Sequence, residues 1–343
     1  MNSNNTKSIL ALAGVAGGAY AVRSLLRRRL SYDFKDRVVL ITGGSRGLGL
    51  VLAREFAAEG ARVVICARDD EELDRACADL QSHDAEVMTH RCDVSNREDV
   101  LRMMAAIETR FGDVDVLVNN AGVIQVGPIE VMTQADFEKA MNAHFWSPLN
   151  TMMAVLPRMR ARGSGRIVNI SSIGGKVSVP HLVPYCASKF ALTGLSKGMR
   201  AELLKDGVVV TTICPGLMRT GSPRNASFKG KHRYEYAWFS ISDALPLFSV
   251  SAERAAREIV NACRNGRAEL VISLPAKLAV MFDAMFPELS SDLFALANRL
   301  LPAPGGIGQR EAKGEESSSF WSPSWLTTLN ESAAIRNNEV PSS

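Results

Sequence analysis

Residues Leu40–Leu50 read LITGGSRGLGL and place four glycines and one arginine between two regular segments. The preceding RVVLI (Arg37–Ile41) is apolar and β-branched, as is typical of a buried strand. The following residues carry apolar side chains at helical spacing up to Gly60, where a helix commonly ends. A glycine turn in this position lets backbone N–H groups approach a pyrophosphate at the positive end of the helix. A tight turn without a ligand is the alternative, and the rest of the chain decides between them.

Length and composition favour a globular α/β protein. A chain of 343 residues has room for one domain of about 250 residues with additional segments at its ends. The net charge is +4 and the body of the chain has no long basic run, so we expect no nucleic-acid partner. The six cysteines show neither a C-x-x-C pair nor zinc spacing. This pattern predicts no metal site and suits a reducing compartment.

Strand-like and helical segments alternate along the chain. After Arg37–Ile41, the strand-like segments are Arg62–Ala67, Glu86–Val94, Val114–Gly122, Gly165–Ser171, Val208–Gly216 and Ala268–Leu274. Seven strands alternating with helices predict an α/β fold, a Rossmann-type doubly wound parallel sheet with helices on both faces. We assign it to residues 34–274.

In such a sheet, ligands bind beyond the carboxyl ends of the strands, so the residues just after each strand are informative. The first strand leads into Thr42-Gly43-x-x-x-Gly47-x-Gly49, and the fourth into Asn119-Asn120-Ala121-Gly122. The fifth ends at Ser171-Ser172 and the sixth at Pro215-Gly216. Tyr185-x-x-x-Lys189 lies between these last two strands. A lone tyrosine and lysine at this spacing would carry little information, but five motifs in this order are highly specific.

Across about Phe34 to Leu274 the chain resembles the short-chain dehydrogenase/reductase family. The resemblance implies that Tyr185 is the acid/base catalyst and that Ser172, thirteen residues earlier, hydrogen-bonds the substrate oxygen. Lys189 lies one helical turn from Tyr185, and its charge is expected to lower the pKa of the tyrosine. Asn142 matches the asparagine that anchors a water relay behind the lysine in this family, with an ordinary polar helix residue as the alternative.

The resemblance also implies a nicotinamide dinucleotide as the cofactor. Asp93 and Val94 are expected beside the adenine, and Asn119 in a role that stabilises the central strand. The expected cofactor-binding residues are Thr42, Gly43, Ser45, Arg46, Gly47, Leu48, Gly49, Arg68, Asp93, Val94, Asn119, Ala121, Gly122, Tyr185, Lys189, Pro215, Gly216 and Thr220.

Charge at the end of the second strand favours NADP(H) over NAD(H). An acidic residue there would bind the ribose of NAD and repel a 2′-phosphate, but the sequence reads Cys66-Ala67-Arg68. Asp69 and Asp70 follow and are expected to begin a helix. Arg46 and Arg68 are therefore candidates to pair with the 2′-phosphate, with unliganded surface arginines as the alternative.

The substrate is predicted less sharply. The family resemblance implies that the segment after Gly216, up to about Val250, closes over the substrate, and its aromatic residues suggest an apolar lid. We expect reversible conversion of a lipophilic carbonyl and an alcohol. The rival functions are a non-catalytic NADP-binding sensor or scaffold, and an isomerase or dehydratase on the same fold. A sensor would be expected to lack the tyrosine, lysine or serine, and an isomerase to carry a larger C-terminal domain.

The two ends of the chain differ from its middle. Ser8–Val22 is uncharged and is followed by four arginines, so residues 1–33 predict a membrane anchor and basic linker, with the catalytic domain on the cytoplasmic side. An N-terminal helix packed on a soluble cytoplasmic domain is the alternative. Residues 275–301 predict an apolar helical extension and a second membrane contact. Residues 302–343 predict a disordered tail. A homo-oligomer is the expected assembly.

Overall fold

The computed structural model describes residues 31–324 and 327–340. Within them, seven parallel strands form the central sheet: β1 Val38–Thr42, β2 Arg62–Ala67, β3 Val87–Arg91, β4 Val116–Asn119, β6 Gly165–Ile170, β7 Val208–Pro215 and β11 Glu269–Ile272. Their spatial order is β11-β7-β6-β4-β1-β2-β3. This confirms the predicted α/β architecture.

The apolar strands are explained by helices that cover both faces of the sheet. In chain order the helices are α1 Gly47–Ala58, α2 Asp70–Gln81, α3 Arg97–Phe111, α4 Gln134–Met141, α5 Ser147–Ala161, α6 Val183–Leu203, α7 His232–Ala244, α8 Ala252–Arg264, α9 Leu274–Met285, α10 Pro287–Asn298 and α11 Thr328–Arg336. One hydrophobic cluster contains Val39 and Ile41 with residues of α1 and α8. The other contains Val38 and Leu40 with residues of α3 and α5. Alternate residues of one strand thus enter two separate cores, so the strand reads as a continuous apolar run.

The strand order reverses between β1 and β4, which are hydrogen-bonded neighbours with Val39 opposite Val116. Connections leave these two strands in opposite directions, so a crevice opens beyond their carboxyl ends. The loop after β1 is the glycine-rich stretch, and the loop after β4 is Asn120–Gly122. The sheet therefore brings the two predicted motifs to one place.

Short strands beyond the sheet edge enclose this crevice from one side. They are β5 Gln125–Val126, β8 Leu217–Arg219, β9 Ser227–Phe228, β10 Ser249–Ser251 and β12 Ala312–Lys313. β9 pairs with both β5 and β12. The C-terminal region thus joins a small sheet at the mouth of the crevice.

The expectation of a disordered tail from residue 302 onward differs from the structure. Among the described residues of this segment, β12 pairs with β9 and α11 packs against the loop after β8. Ala333 and Ala334 are buried, and a Cβ on Gly221 would clash with the Cα of Ala334. Composition indicated disorder because these contacts use small and polar residues, which bury little apolar area per residue.

Helices α9 and α10 form a hairpin on the surface. Several of its apolar side chains are exposed, including Leu278, Met281, Leu289 and Leu293. None of the helices in the described part of the chain is both long and apolar enough to span a membrane. The predicted anchor, residues 8–22, lies outside the described residues.

Candidate active site

The loop between β1 and α1 is held against the loop after β4. The hydroxyl oxygen of Thr42 accepts hydrogen bonds from the backbone N–H groups of Asn120 and Ala121, at 3.0 and 3.1 Å. The side-chain amide of Asn120 donates to the carbonyl of Gly43 at 2.9 Å. Gly43 and Gly47 have φ of +62° and +56°, a region that favours glycine. The loop therefore turns tightly and presents the N-terminus of α1 to the crevice.

A cavity of about 1210 Å³ occupies the crevice and extends from the glycine loop to Tyr185 and Lys189. Its walls include the predicted cofactor residues Gly43, Ser45, Arg46, Gly47, Leu48, Arg68, Asp93, Val94, Ala121, Gly122, Tyr185, Lys189 and Thr220, and also Asn142. Its size suits a dinucleotide with a substrate beside it. The structure thus brings together residues from several separate loops and helices.

Five predicted residues support the cavity from behind. Thr42 fixes the two loops, as described above. The Asn119 amide donates to Asn169 Oδ1 at 2.9 Å and its oxygen accepts from the Thr151 hydroxyl at 2.6 Å, which joins β4 to β6 and α5. Gly216 packs against the start of α9, where a Cβ would lie 2.8 Å from Ser273 Oγ, and the buried Pro215 precedes it.

Gly49 is the fifth supporting residue and gives a sharp stability prediction. A Cβ at Gly49 would overlap the Gly43 carbonyl oxygen, so Gly49→Ala must displace backbone. We expect the free energy of unfolding to fall by roughly 1–3 kcal/mol, measured by chemical denaturation. Gly194→Ala on α6 is the matched control, since nothing lies within 4 Å of its Cβ position, and it should stabilise by about 0.5–1 kcal/mol. Equal effects of both substitutions would contradict this account of the loop.

Tyr185 and Lys189 project from α6 into the inner end of the cavity. The Lys189 ammonium lies 5.7 Å from the centre of the Tyr185 ring and donates to the carbonyl of Ile170, at the end of β6, at 2.9 Å. Burial lowers the pKa of Lys189 to about 7. A lysine with this pKa can hold or release a proton near neutral pH.

Ser172 lies beside Tyr185. Its Oγ accepts from the backbone N–H of Gly174 at 3.0 Å, and its side chain acts to lower the pKa of Tyr185. The neighbouring Ser171 instead bonds the Lys189 carbonyl and the Thr193 hydroxyl, at 3.1 and 2.8 Å. The hydroxyl of Ser171 is thus engaged by α6, which leaves Ser172 as the serine paired with the tyrosine.

The expected lowering of the tyrosine pKa by Lys189 is wrong for this structure. Burial raises the pKa of Tyr185 well above its usual value, and the hydrogen bond from Ser172 opposes that rise only in part. Removal from water disfavours both tyrosinate and ammonium, so burial moves the two pKa values in opposite directions. Spacing on a helix predicted that the residues are neighbours, but it could not show how deeply both are buried.

Asn142 begins a π-helical turn, Asn142–Trp146, between α4 and α5. Its side chain is exposed at the cavity wall, while its carbonyl accepts from the Ser147 hydroxyl at 2.7 Å and from the Ser147 N–H. π-Helical turns are frequent at functional sites. The proposed water relay behind Lys189 stays a prediction.

His144 matches none of the sequence motifs, and the structure places it against Tyr185. The ring is buried, packs edge-on against Tyr185 at 5.3 Å between centres, and contacts Ser188 through Nδ1 at 2.8 Å. Nε2 accepts from the N–H of Val123 at 3.1 Å, so we assign the ring proton to Nδ1. Burial first and Lys189 second hold its pKa well below the usual value. The π-helical turn that aims His144 inward has no signal in the sequence.

The sequence motifs also did not indicate that Asp243 lies near the site. Burial raises the pKa of this carboxyl group to about 7, and its charge contributes to the raised pKa of Tyr185. It lies on α7, in the segment predicted to be an apolar lid. The apolar lid stays a prediction, and Phe228, Tyr236 and Phe239 of that segment are buried in a hydrophobic cluster with Val126 and Leu182.

Positive charge lies at the opposite end of the cavity. Arg68 is exposed just after β2, while Arg46 pairs with Glu72 at 2.5 Å. Asp69 accepts from the Glu72 N–H at 2.9 Å, so it caps α2 as predicted. Glu72 was not anticipated from the sequence, although it reaches the glycine loop and accepts from the Ser45 hydroxyl at 2.8 Å.

Comparison with known proteins identifies relatives of this chain. The family model for short chain dehydrogenase matches residues 37–229. A putative oxidoreductase SadH of Mycobacterium tuberculosis is 35% identical over 71% of this chain and 89% of its own. Dehydrogenase/reductase SDR family member 7B of Danio rerio is 32% identical over 81% of this chain and 90% of its own.

A solved structure is similar as well. A tryptophan-substituted variant of actinorhodin polyketide ketoreductase, with NADPH, is 30% identical, has a TM-score of 0.62, and matches 71% of this chain and 97% of its own. The ordered motifs, the parallel sheet and these matches agree with one another. The chain belongs to the short-chain dehydrogenase/reductase family and is an oxidoreductase of that family.

Proposed function

We propose that this protein interconverts a carbonyl group and an alcohol with NADP(H), and that Tyr185 is its acid/base catalyst. The observation that carries the proposal is the cluster at the inner end of the cavity. There the buried Lys189 ammonium lies 5.7 Å from the centre of the Tyr185 ring, and the Ser172 side chain nearby acts to lower the pKa of the tyrosine. The cofactor residues predicted at the glycine loop line the same cavity.

The residues present suit a nicotinamide dinucleotide, because the glycine loop before α1 and two arginines, Arg46 and Arg68, line the cavity. When bound, the cofactor supplies a hydride to the carbonyl carbon, or takes one from the alcohol carbon. Negative charge then develops on the substrate oxygen and must be neutralised. Ser172 holds that oxygen by a hydrogen bond, and the Tyr185 hydroxyl passes its proton to it. The raised pKa of Tyr185 keeps this proton in place until the oxygen becomes basic.

Arg46 and Arg68 support NADP(H) as the preferred cofactor. No carboxylate stands at the last residues of β2, and Asp69 is engaged in capping α2. Arg68 lines the cavity and is exposed, so it can meet a 2′-phosphate without breaking an internal packing contact. Bidentate arginine–phosphate pairs are among the stronger charge-assisted contacts.

Replacing Arg68 with aspartate should therefore shift cofactor preference. Attraction for the 2′-phosphate becomes repulsion, and we expect the ratio of kcat/KM for NADPH to that for NADH to fall by at least about tenfold. Arg254→Asp, the same charge change on exposed α8, is the control and should leave the ratio unaltered. An unchanged ratio in Arg68→Asp would place the phosphate pocket elsewhere.

A lipophilic substrate is supported by the apolar side chains in the cavity wall. They include Val123, Ile124, Ile170 and Met218. The similar polyketide ketoreductase acts, by its name, on a ketone of a polyketide. We therefore propose a lipophilic ketone or alcohol as the substrate class, and retain a homo-oligomer as the expected assembly.

We propose that the protein contacts a membrane through residues 8–22 and through the hairpin of α9 and α10. Met281 and Leu289 in the hairpin are each more than half exposed, and apolar patches of this kind mark interaction sites. Acyl chains are a fitting partner for unpaired leucine and methionine side chains. The run Ser8–Val22 with the arginines after it supports an orientation with the catalytic domain on the cytoplasmic side.

Removing residues 1–30 should shift the protein from the membrane fraction to the supernatant after ultracentrifugation. NADPH binding should persist, because the sheet begins at Val38. If the truncated protein stays in the membrane fraction, and is released only when Met281 and Leu289 are also changed to glutamate, the hairpin makes the membrane contact. Full-length protein found in the supernatant would contradict membrane attachment.

A further inference from the structure

The C-terminal residues after α11 lie on the glycine loop. Helix α11 is tied to the loop after β8, where the N–H of Gly221 donates to Asn330 Oδ1 at 3.0 Å. Arg54 of α1 donates to the carbonyl of Arg336, the last residue of α11, at 2.9 Å. The chain then turns across the start of α1. We call residues 337–339 the tail segment.

The tail segment takes hydrogen-bonding groups that belong to the start of α1 and the loop before it. The N–H of Gly47, the first residue of α1, donates to the Asn337 carbonyl at 2.8 Å. The Asn338 amide donates to the carbonyls of Ser45 and Glu72, at 2.8 and 3.0 Å. Unpaired N–H groups at a helix N-terminus are those that bind phosphate in dinucleotide sites. Here one of them is already occupied by protein.

Glu339 adds a negative charge at the same place. Its carboxylate lies 3.4 Å from Arg46 and 2.6 Å from the amide of Asn225. One carboxylate oxygen would lie 2.5 Å from a Cβ on Gly47, so it touches the glycine whose missing side chain leaves the loop open. The side chain is only 4% exposed. This buried anion occupies a position suited to the anion of a ligand.

We propose that the tail segment is an internal competitor for the diphosphate half of NADP(H), with Glu339 as its anionic anchor, and that cofactor binding displaces it. The inference rests on the proposed function, since it takes the glycine loop as the dinucleotide site. A diphosphate beside Gly47 would meet both the Asn337 carbonyl and the Glu339 carboxylate, which are an acceptor and a like charge. The two cannot share the start of α1. The free energy that holds the tail segment in place therefore reduces the apparent affinity for the cofactor.

Arg46 connects this competition to the proposed phosphate pocket. It is shared between Glu72 and Glu339, although the 2′-phosphate is its expected partner. Displacement of the tail segment removes one of these two carboxylates from the arginine. The same movement thus opens the diphosphate site and separates Arg46 from Glu339, while its pair with Glu72 remains.

The first test measures NADPH affinity of the full-length chain by calorimetry at pH 8, above the pKa of about 7 to which burial raises Glu339. Glu339→Gln keeps the shape and removes the charge, so NADPH should bind about tenfold more tightly than to the wild-type protein. Glu130→Gln, which removes the same charge from an exposed position, is the control and should bind like the wild type. If the wild-type protein binds NADPH and Glu339→Gln binds it equally well or more weakly, the proposal is overturned and the proposed function still stands.

The second test follows hydrogen–deuterium exchange in the wild-type chain, so it does not depend on any variant folding. NADPH should raise amide exchange in residues 337–340 while it lowers exchange in residues 43–50. Greater protection of both segments would overturn the proposal and assign the tail segment as a cover over bound cofactor. If neither the wild type nor Glu339→Gln binds NADPH or NADH, the proposed function itself fails.

Discussion

Replacing Tyr185 with phenylalanine should abolish turnover while NADPH binding stays within about twofold of the wild type. The substitution removes only the hydroxyl that transfers a proton and keeps the ring that packs against His144. Loss of a positioned acid–base group costs about 10²–10⁴-fold, and we expect at least about 10³-fold in kcat. Steady-state NADPH oxidation gives the rate, and calorimetry gives the affinity.

The matched control for this substitution is Tyr234→Phe. Tyr234 is an exposed tyrosine on α7, and the same loss of a hydroxyl there should leave kcat unchanged. Turnover by Tyr185→Phe at the wild-type rate would remove the tyrosine from the mechanism. A parallel loss of NADPH affinity would instead indicate that the hydroxyl mainly shapes the cofactor site.

Lys189→Ala should damage both catalysis and cofactor binding. In this family the lysine is expected to bond the nicotinamide ribose, and in the structure it links the end of β6 to Tyr185 through its contact with Ile170. We expect kcat to fall by roughly 10²-fold or more and the NADPH dissociation constant to rise, measured by the same two methods.

Lys197→Ala, on the same helix, separates this effect from a general loss of charge. Lys197 is half-exposed and pairs with Glu269 at 2.9 Å, away from the tyrosine. Its removal should leave kcat and NADPH affinity near the wild-type values. If Lys189→Ala retained turnover within about threefold of the wild type, the lysine would have no part in the reaction.

The sequence predicted the sheet well because local pattern and burial agree along its strands. Val38–Thr42 is apolar because both of its faces are covered, and four of the five motifs follow strands because the ligand crevice lies at the strand ends. The residues at which strands begin and end were predicted less accurately. The third strand was expected to extend over Glu86–Val94 but covers Val87–Arg91, since Asp93 leaves the sheet to accept hydrogen bonds from Ser95.

Features that depend on long-range contacts could not be predicted. Burial reverses the expected shift in the pKa of Tyr185, and how deeply a residue is buried depends on the whole fold. His144 reaches Tyr185 through a π-helical turn that hydropathy does not encode. The tail segment meets the glycine loop across 293 positions of sequence between Ser45 and Asn338, through asparagine side chains and backbone groups that carry no hydrophobic pattern.

The central claim is net hydride transfer between NADP(H) and a substrate carbon, with the proton supplied by the protein. The most direct measurement incubates the full-length protein in detergent with lipophilic ketones and NADPH that carries deuterium at its transferable position. Mass spectrometry then locates the label. Our account predicts stoichiometric loss of NADPH and one deuterium on the carbon that bears the new hydroxyl, in the wild type and not in Tyr185→Phe. Conversion of a substrate without net loss of NADPH would instead indicate an isomerase or dehydratase. Binding of NADPH without conversion of any ketone or alcohol would indicate a sensor. Either result would contradict the proposed hydride transfer.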